Sequence, residues 1–101
     1  AEEQDKIFEA VLTDPVTICS WSPFNQYWIL QALGNLGKME YAVASIKLCW
    51  GPMLTLGKGC FWELFSPEWI RFMDVGDKAP TRPSYCHPWA SGVTHWLTHS
   101  L

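Results

Sequence analysis

Glycine and proline residues divide the middle of the chain into two helical segments joined by a short connection. Ser22-Pro23 is typical of a helix start, because serine is a good N-cap and proline fits the first helical turn. Gly37 follows the end of that segment, and Gly51-Pro52 ends the next one. The pattern predicts helices over residues 23–36 and 39–50. Two helices with so short a connection form an antiparallel helical hairpin.

Apolar spacing predicts two further helices, one near each end of the chain. Residues 2–13 carry acidic residues at the start and an apolar stripe at i, i+3 and i+4, formed by Ile7, Ala10 and Val11. The last helix starts near His87-Pro88 and presents one apolar face, made of Trp89, Val93, Trp96, Leu97 and Leu101. The predicted fold class is therefore all-α, with about four helices.

Between these helices lies a long irregular segment, residues 57–88, after one possible helical turn at 53–56. Such a length without regular structure is unusual for a plain connector and is typical of a functional or a disordered segment. Aromatic residues favour the functional interpretation, since disordered segments contain few of them. The aromatics in question are Phe61, Trp62, Phe65, Trp69 and Phe72.

The balance of apolar and charged residues predicts that the chain is part of a larger core. Apolar residues make up 49% of its 101 residues and charged ones 17%, against about 25% charged in a typical domain. A lone domain with so few charges would leave apolar patches in water. The helix that contains Phe24, Tyr27, Trp28, Leu30 and Leu33 is apolar around most of its circumference, which predicts packing on more than one side. The expected partner is the remainder of a parent domain or a second copy of the chain.

Charge and cysteine patterns argue against several other classes of protein. The formal net charge is -3 and the Lys and Arg residues are scattered, which disfavours nucleic-acid binding. No apolar run approaches the 18 or more residues of a membrane span, so no membrane partner is predicted. The four cysteines contain no C-x-x-C pair and permit two disulfides. Small buried free thiols are the preferred prediction for them.

The densest chemical signal is Gly57-Lys58-Gly59-Cys60-Phe61-Trp62-Glu63. Two glycines allow a tight backbone turn, which then presents a carboxylate flanked by aromatic rings. Such a surface suits a sugar, whose C–H groups lie on rings while its hydroxyls meet the carboxylate. Glycoside hydrolysis needs two carboxyl groups, and Glu63 is a candidate for one of them. The structural alternative is that Glu63 caps a turn or pairs with Arg71 or Arg82.

Two blocks of sequence resemble the end of the catalytic domain of α-L-rhamnosidases. The first, WSPFNQYWILQALGNLGKMEYAVASIKLCWGPMLTLGKGCFWELFSPEW, is similar to that family's helical hairpin followed by G-A-T-T-x-W-E. The second, SYCHPWASGVTHWL, is similar to its S-x-C-H-x-W-x-x-G-x-x-x-W-L. Together they cover about three quarters of the chain. The resemblance implies that residues 1–101 form the C-terminal portion of a barrel of six helical hairpins, an incomplete catalytic domain.

The same resemblance implies a function and a set of residues. Family members invert the anomeric carbon, and the Glu of the W-E element acts as general base, which corresponds to Glu63. The His of the C-H element contacts the sugar, which corresponds to His87, and Trp62 corresponds to the aromatic residue beside the base. Trp50 and Trp89 are expected to help line the pocket, and core packing is an equally good explanation for these two. The substrate is a rhamnoside, no metal or organic cofactor is expected, and the general acid lies upstream of this chain.

One departure from the family pattern leaves two rival functions open. Lys58-Gly59-Cys60 stands where the family has Ala-Thr-Thr, so two hydroxyls are lost and a cation is added. A parent that binds carbohydrate without catalysis is one rival, and a structural helical fragment with an aromatic protein interface is the other. His87 also has a structural interpretation as a helix N-terminal residue. His95 and His99 have an i, i+4 spacing that can hold a metal, but no third ligand follows, so no metal site is predicted.

Overall fold

In a computed structural model of the chain, residues 1–15, 18–19, 22–56, 59–67 and 84–101 are described. About 70% of these residues are helical, and none of them forms a strand. The predicted all-α class is therefore confirmed for this part of the chain. None of its helices combines the length and apolar character that crossing a membrane requires.

Helix α1, Glu2–Ile7, continues as a π-helical stretch over Phe8–Leu12. The prediction of this helix is confirmed, but the predicted apolar face is wrong. Ile7, Ala10 and Val11 are exposed, whereas Phe8 and Leu12 are buried. The aromatic ring of Phe8 decides the orientation, since it packs edge-on against Tyr41 at a centroid distance of 4.9 Å.

The central hairpin consists of α2, Pro23–Asn35, and α3, Met39–Cys49. As predicted, Ser22 is the N-cap of α2 and Pro23 its first residue. Gly37 adopts a left-handed φ of 69°, which is the conformation that lets α2 end abruptly. The Lys38 N–H then donates to the Leu33 carbonyl at 2.8 Å and closes a Schellman turn.

Two shorter helical elements follow, and the core lies between them and the hairpin. Gly51–Leu56 forms α4, and Pro88–Ser91 forms a 3-10 turn that leads into α5, Gly92–Ser100. Helix α2 contacts α3, α5 and the 3-10 turn, and α4 packs against α3. The buried cluster comprises Phe8, Leu12, Ile18, Cys19, Leu30, Leu33, Ala42, Cys49, Trp50, Met53, Trp62, Phe65, Val93 and Trp96.

Packing of α2 and α5 differs in part from the sequence-based prediction. Helix α2 does pack on two sides, yet Phe24 is 41% exposed and Trp28 is 59% exposed. On α5, Val93 and Trp96 are buried as predicted. The other members of the predicted face, Trp89, Leu97 and Leu101, are exposed. Trp89 is exposed because residues Pro88–Ser91 form a 3-10 turn, whose geometry rotates this side chain off the apolar stripe of α5.

The prediction of free thiols is wrong for one cysteine pair. Cys19 and Cys49 form a disulfide with a Cα–Cα separation of 6.2 Å, within the usual range for this bond. The bond ties the segment before α2 to the end of α3. Cys60 and Cys86 are free.

Candidate functional site

Two segments that are distant in sequence pair through their backbones at the edge of the core. We call residues 59–63 the carboxylate segment and residues 84–87 the histidine segment. The His87 N–H donates to the Phe61 carbonyl at 2.8 Å, and the Glu63 N–H donates to the Ser84 carbonyl at 2.9 Å. The pairing places side by side the two segments that the sequence marks as chemically active.

Local anchors hold both segments in place. In the carboxylate segment, Gly59 has a φ of 86°, which favours glycine, and the Trp62 N–H donates to the Met53 sulfur of α4 at 3.4 Å. In the histidine segment, the Ser84 hydroxyl donates to the Cys86 carbonyl at 3.2 Å and accepts from the Cys86 N–H at 3.4 Å. The short chain between Ser84 and Cys86 is therefore held in a closed turn.

Glu63 is half-buried, and its carboxylate takes part in the pairing. Its Oε2 atom accepts a hydrogen bond of 3.1 Å from the Ser84 N–H. With the backbone bond in the other direction, Glu63 and Ser84 form a two-bond bridge. One carboxylate oxygen is thus oriented by the backbone, and Oε1 has no hydrogen-bond partner within the described residues. The predicted partners Arg71 and Arg82 lie outside those residues, as does Lys58.

His87 lies on a cavity of about 260 Å³ between α4, the carboxylate segment and the 3-10 turn. Its lining is mostly apolar and includes Leu54, Cys60, Phe61, Cys86, His87 and Ser91. Glu63 belongs to the paired backbone but not to this lining. The cavity therefore brings one predicted sugar-binding residue next to two thiols and an aromatic ring.

The tryptophans named by the sequence occupy two different environments. Trp50 and Trp62 are each 2% exposed and belong to the core. The Trp50 indole N–H donates to the Ala90 carbonyl at 2.8 Å, which ties α3 to the 3-10 turn. The Trp62 ring packs edge-on against Tyr85 at 4.8 Å, and its Nε1 finds no hydrogen-bond partner in the described part of the chain.

Trp89, in contrast, is 70% exposed and adjoins the cavity residue His87. The ring centroids of Trp89 and His87 are 5.9 Å apart, and those of Trp89 and Phe24 of α2 are 5.7 Å apart. Trp89 therefore adjoins both other rings. Flat apolar rings of this kind can cover the C–H face of a sugar.

Cys60 and Cys86 are neighbours that the sequence analysis did not connect. A hydrogen bond with Cys86 and partial desolvation raise the pKa of the Cys60 thiol. Ser84 was likewise missed, although it belongs to the same S-x-C-H block as His87. The S-x-C-H pattern could have marked Ser84 in the sequence. Its partner Glu63, on the opposite segment, is found only from the fold.

No metal-binding group of three or more His, Cys, Asp or Glu side chains occurs among the described residues. His95 and His99 use their i, i+4 spacing to stack, with ring centroids 4.1 Å apart. The His99 Nδ1 also lies 3.1 Å from the His95 carbonyl oxygen. This contact accounts for the pair without a ligand.

Comparison with known proteins finds no protein-family model, curated protein or solved structure that matches the chain. The helical class therefore rests on the structure itself, and the functional argument rests on the residues and contacts described above.

Proposed function

We propose that this chain is the C-terminal part of the catalytic domain of an inverting glycoside hydrolase that acts on α-L-rhamnosides, within a barrel of six helical hairpins. Glu63 would be the general base and His87 a sugar-binding residue. The observation that supports this proposal most directly is the backbone pairing of the carboxylate and histidine segments. It brings together the two sequence blocks that resemble α-L-rhamnosidases.

In this mechanism Glu63 takes a proton from the attacking water. An inverting enzyme holds its two carboxyl groups about 6.5–9.5 Å apart, so that water fits between the base and the sugar. The bond from the Ser84 N–H fixes Oε2 of Glu63 and leaves Oε1 to accept the proton. The proton donor belongs to the remainder of the domain, which faces Glu63 across the sugar.

The surroundings of His87 are suited to orienting a pyranose ring. A ring nitrogen of His87 would hydrogen-bond a sugar hydroxyl, and the adjacent Trp89 ring would cover C–H groups. Trp50 and Trp62 support this surface from the core, since Trp50 fixes the Ala90 carbonyl of the 3-10 turn that carries Trp89.

Exposed aromatic residues support the assignment to a larger domain. Phe24 and Trp28 are i, i+4 neighbours on α2, and Trp89 contacts Phe24. We call these three residues the aromatic patch. A contiguous apolar surface of this kind marks a site where another surface packs. Under this proposal, neighbouring hairpins of the barrel cover part of it.

Carbohydrate binding without catalysis is the second candidate. Two observations favour it: the Glu63 carboxylate already serves the bridge to Ser84, and Cys60 stands where the family pattern has a hydroxyl. A wild-type protein that binds the sugar but does not hydrolyse the rhamnoside would support this second candidate.

Steady-state hydrolysis of an aryl α-L-rhamnoside by the full-length protein that contains this segment tests the proposal. Glu63→Gln should lower kcat by about 10²–10⁴-fold, because an amide cannot accept the proton of water, while KM changes little. His87→Ala should lower kcat/KM by about 5–150-fold, through one lost hydrogen bond worth about 1–3 kcal/mol.

Glu9→Gln is the matched control, since Glu9 is an exposed acid on the π-helical stretch, outside both segments. It should retain wild-type kinetics. NMR of the first product should show the β-anomer, as inversion requires. Near-normal turnover of Glu63→Gln, with the fold intact, would contradict the role of Glu63.

A further inference from the structure

The cavity beside His87 contains two free thiols from different segments. Cys60 is half-buried in the carboxylate segment and Cys86 is exposed in the histidine segment, and both line the cavity. Neither is used by the proposed hydrolysis. The only disulfide in the described part of the chain joins Cys19 to Cys49, so these two remain as a pair.

The backbone pairing brings the two cysteines to the same cavity. Each cysteine directly precedes a residue of the bonded pair Phe61 and His87, whose N···O distance is 2.8 Å. The Ser84 hydroxyl fixes the Cys86 backbone from both sides. Both side chains line the same cavity, and the interaction with Cys86 raises the pKa of the Cys60 thiol. A disulfide between them would therefore join two segments that the backbone already pairs.

We propose that Cys60 and Cys86 form a dithiol site that reacts with small disulfide oxidants, of the chemical class of oxidised glutathione, and closes to an intramolecular disulfide. The site goes beyond the hydrolase function and does not depend on it. Closure would link the carboxylate segment covalently to the histidine segment on one side of the cavity.

The reaction is an ordinary two-step thiol–disulfide exchange. The exposed Cys86 attacks as its thiolate, forms a mixed disulfide, and breaks the sulfur–sulfur bond of the oxidant, which releases one glutathione thiolate. Cys60 then loses its proton, attacks the Cys86 sulfur and expels the second glutathione thiolate. Two cysteines are oxidised by two electrons, one oxidant disulfide is reduced to two thiols, and the two cysteine protons end on those thiols.

The Cys60 environment decides which thiol of the reduced pair reacts first. Because the hydrogen bond with Cys86 raises the pKa of the Cys60 thiol, Cys60 stays protonated at neutral pH, and the exposed Cys86 is the first nucleophile. Capture of the oxidant at Cys86 should therefore precede ring closure. A transient mixed disulfide at Cys86 is the expected intermediate.

The test is to equilibrate the protein in glutathione buffers of graded oxidised-to-reduced ratio, quench with acid, alkylate the remaining thiols and map disulfide-linked peptides by mass spectrometry. We expect a peptide that joins Cys60 to Cys86, a protein mass lower by two hydrogens, and no glutathione retained in the final state. The Cys19–Cys49 peptide serves as the internal reference for an undisturbed fold.

Two single variants act as matched controls. Cys60→Ser should retain one glutathione at Cys86, because no second thiol can expel it. Cys86→Ser should form the adduct at the half-buried Cys60, more slowly than the exposed Cys86 forms it in Cys60→Ser. The wild-type peptide map decides the question even if a variant does not fold. Two retained glutathiones per chain, unreacted thiols in the most oxidising buffer, or new peptides that join Cys60 or Cys86 to Cys19 or Cys49 would each overturn the proposal.

Discussion

Glu63 combines a structural bond and a proposed catalytic function in one carboxylate. Its Oε2 accepts from the Ser84 N–H, and its own N–H donates to the Ser84 carbonyl. The structural alternative raised from the sequence, a carboxylate that caps a turn, and the catalytic interpretation are therefore compatible. They use different oxygens of the same group, and substitutions that keep or remove the acceptor can separate them.

Stability measurements on two Glu63 variants should make this separation. Glu63→Ala removes the acceptor for the Ser84 N–H and should lower the free energy of unfolding by about 0.5–1.5 kcal/mol. Glu63→Gln keeps an amide oxygen in the same position, so its stability should stay near that of wild type. Urea unfolding followed by Trp fluorescence measures both. Equal stability of Glu63→Ala and wild type would show that the hydrogen bond from the Ser84 N–H to the Glu63 carboxylate does not contribute to the free energy of unfolding.

The Cys60 thiol provides a second test at the scale of single residues. Its pKa is raised chiefly by the hydrogen bond with Cys86, so Cys86→Ala should lower that pKa toward the ordinary value. The rate of Cys60 alkylation by iodoacetamide should then rise at neutral pH, and its pH midpoint should move downwards. Ser91→Ala, which changes another residue of the same cavity, is the control and should leave the midpoint unchanged. An unchanged midpoint in Cys86→Ala would exclude the bond between the thiols.

Among the helical elements, those bounded by glycine and proline were predictable and those defined by apolar stripes were less so. Pro23 and Gly37 act through their own backbone dihedrals, and α2 and α3 begin at the predicted residues. Apolar spacing predicts a stripe with Ile7 and Val11 for the first helix, because spacing alone cannot take account of Phe8, whose partner Tyr41 is distant in sequence. Which face is buried depends on such partners.

In the candidate site, too, local features were predictable from the sequence and contacts between distant residues were not. The resemblance identified the carboxylate and histidine segments, but no spacing rule predicts that the Phe61 carbonyl meets the His87 N–H. The burial of Trp50 follows from its bond to Ala90, a residue without any chemical signal. Contacts between distant segments belong to the tertiary structure, and a local sequence pattern contains little information about them.

The contact between α2 and α5 depends on a glycine at the start of α5. A Cβ on Gly92 would lie 2.9–3.0 Å from Tyr27 atoms, including the Tyr27 Cβ, which cannot swing away as the tip of a flexible side chain could. Gly92→Ala should therefore force the helices apart and lower the free energy of unfolding by about 1–3 kcal/mol.

Gly51→Ala is the matched control for that substitution, because a Cβ at Gly51 meets no atom within 4 Å. Alanine is the better helix former, so this variant should be as stable as wild type or up to about 1 kcal/mol more stable. Chemical denaturation compares the two directly. A Gly92→Ala protein as stable as wild type would mean that α2 and α5 are not closely packed.

At the scale of the whole molecule, a fully buried core coexists with large apolar side chains that stay exposed. Leu30 and Leu33 of α2 have no exposed surface, whereas the aromatic patch on the same helix and the 3-10 turn is largely open. Trp28 has Phe24 one turn before it on α2, and the Tyr27 ring lies edge-on beside it at a centroid distance of 5.2 Å. A surface of this composition is stabilised when it is covered.

The last prediction is that residues 1–101 alone self-associate and do not hydrolyse an aryl rhamnoside. A six-hairpin barrel has twelve helices, which at about 11–12 residues per helix and 4–6 per connection require roughly 200 residues. Without the further hairpins that the proposal implies, the aromatic patch stays exposed, since Trp28 and Trp89 are 59% and 70% open to solvent. Sedimentation velocity should show association that increases with concentration, together with binding of a dye specific for apolar surface.

Substitution within the aromatic patch supplies the control for this association. Trp28→Lys with Trp89→Lys should yield a monomer over the same concentrations, since both side chains are exposed and two added charges oppose contact between copies. Lys substitution at Thr94 and Thr98, exposed positions on α5 outside the patch, adds the same charge and should leave association unchanged. Hydrolysis additionally needs a proton donor opposite Glu63, which the proposal assigns to the rest of the domain. A wild-type segment that is monomeric, binds no dye and turns over the rhamnoside would contradict both the assignment to a larger barrel and the division of the active site between this chain and its neighbours.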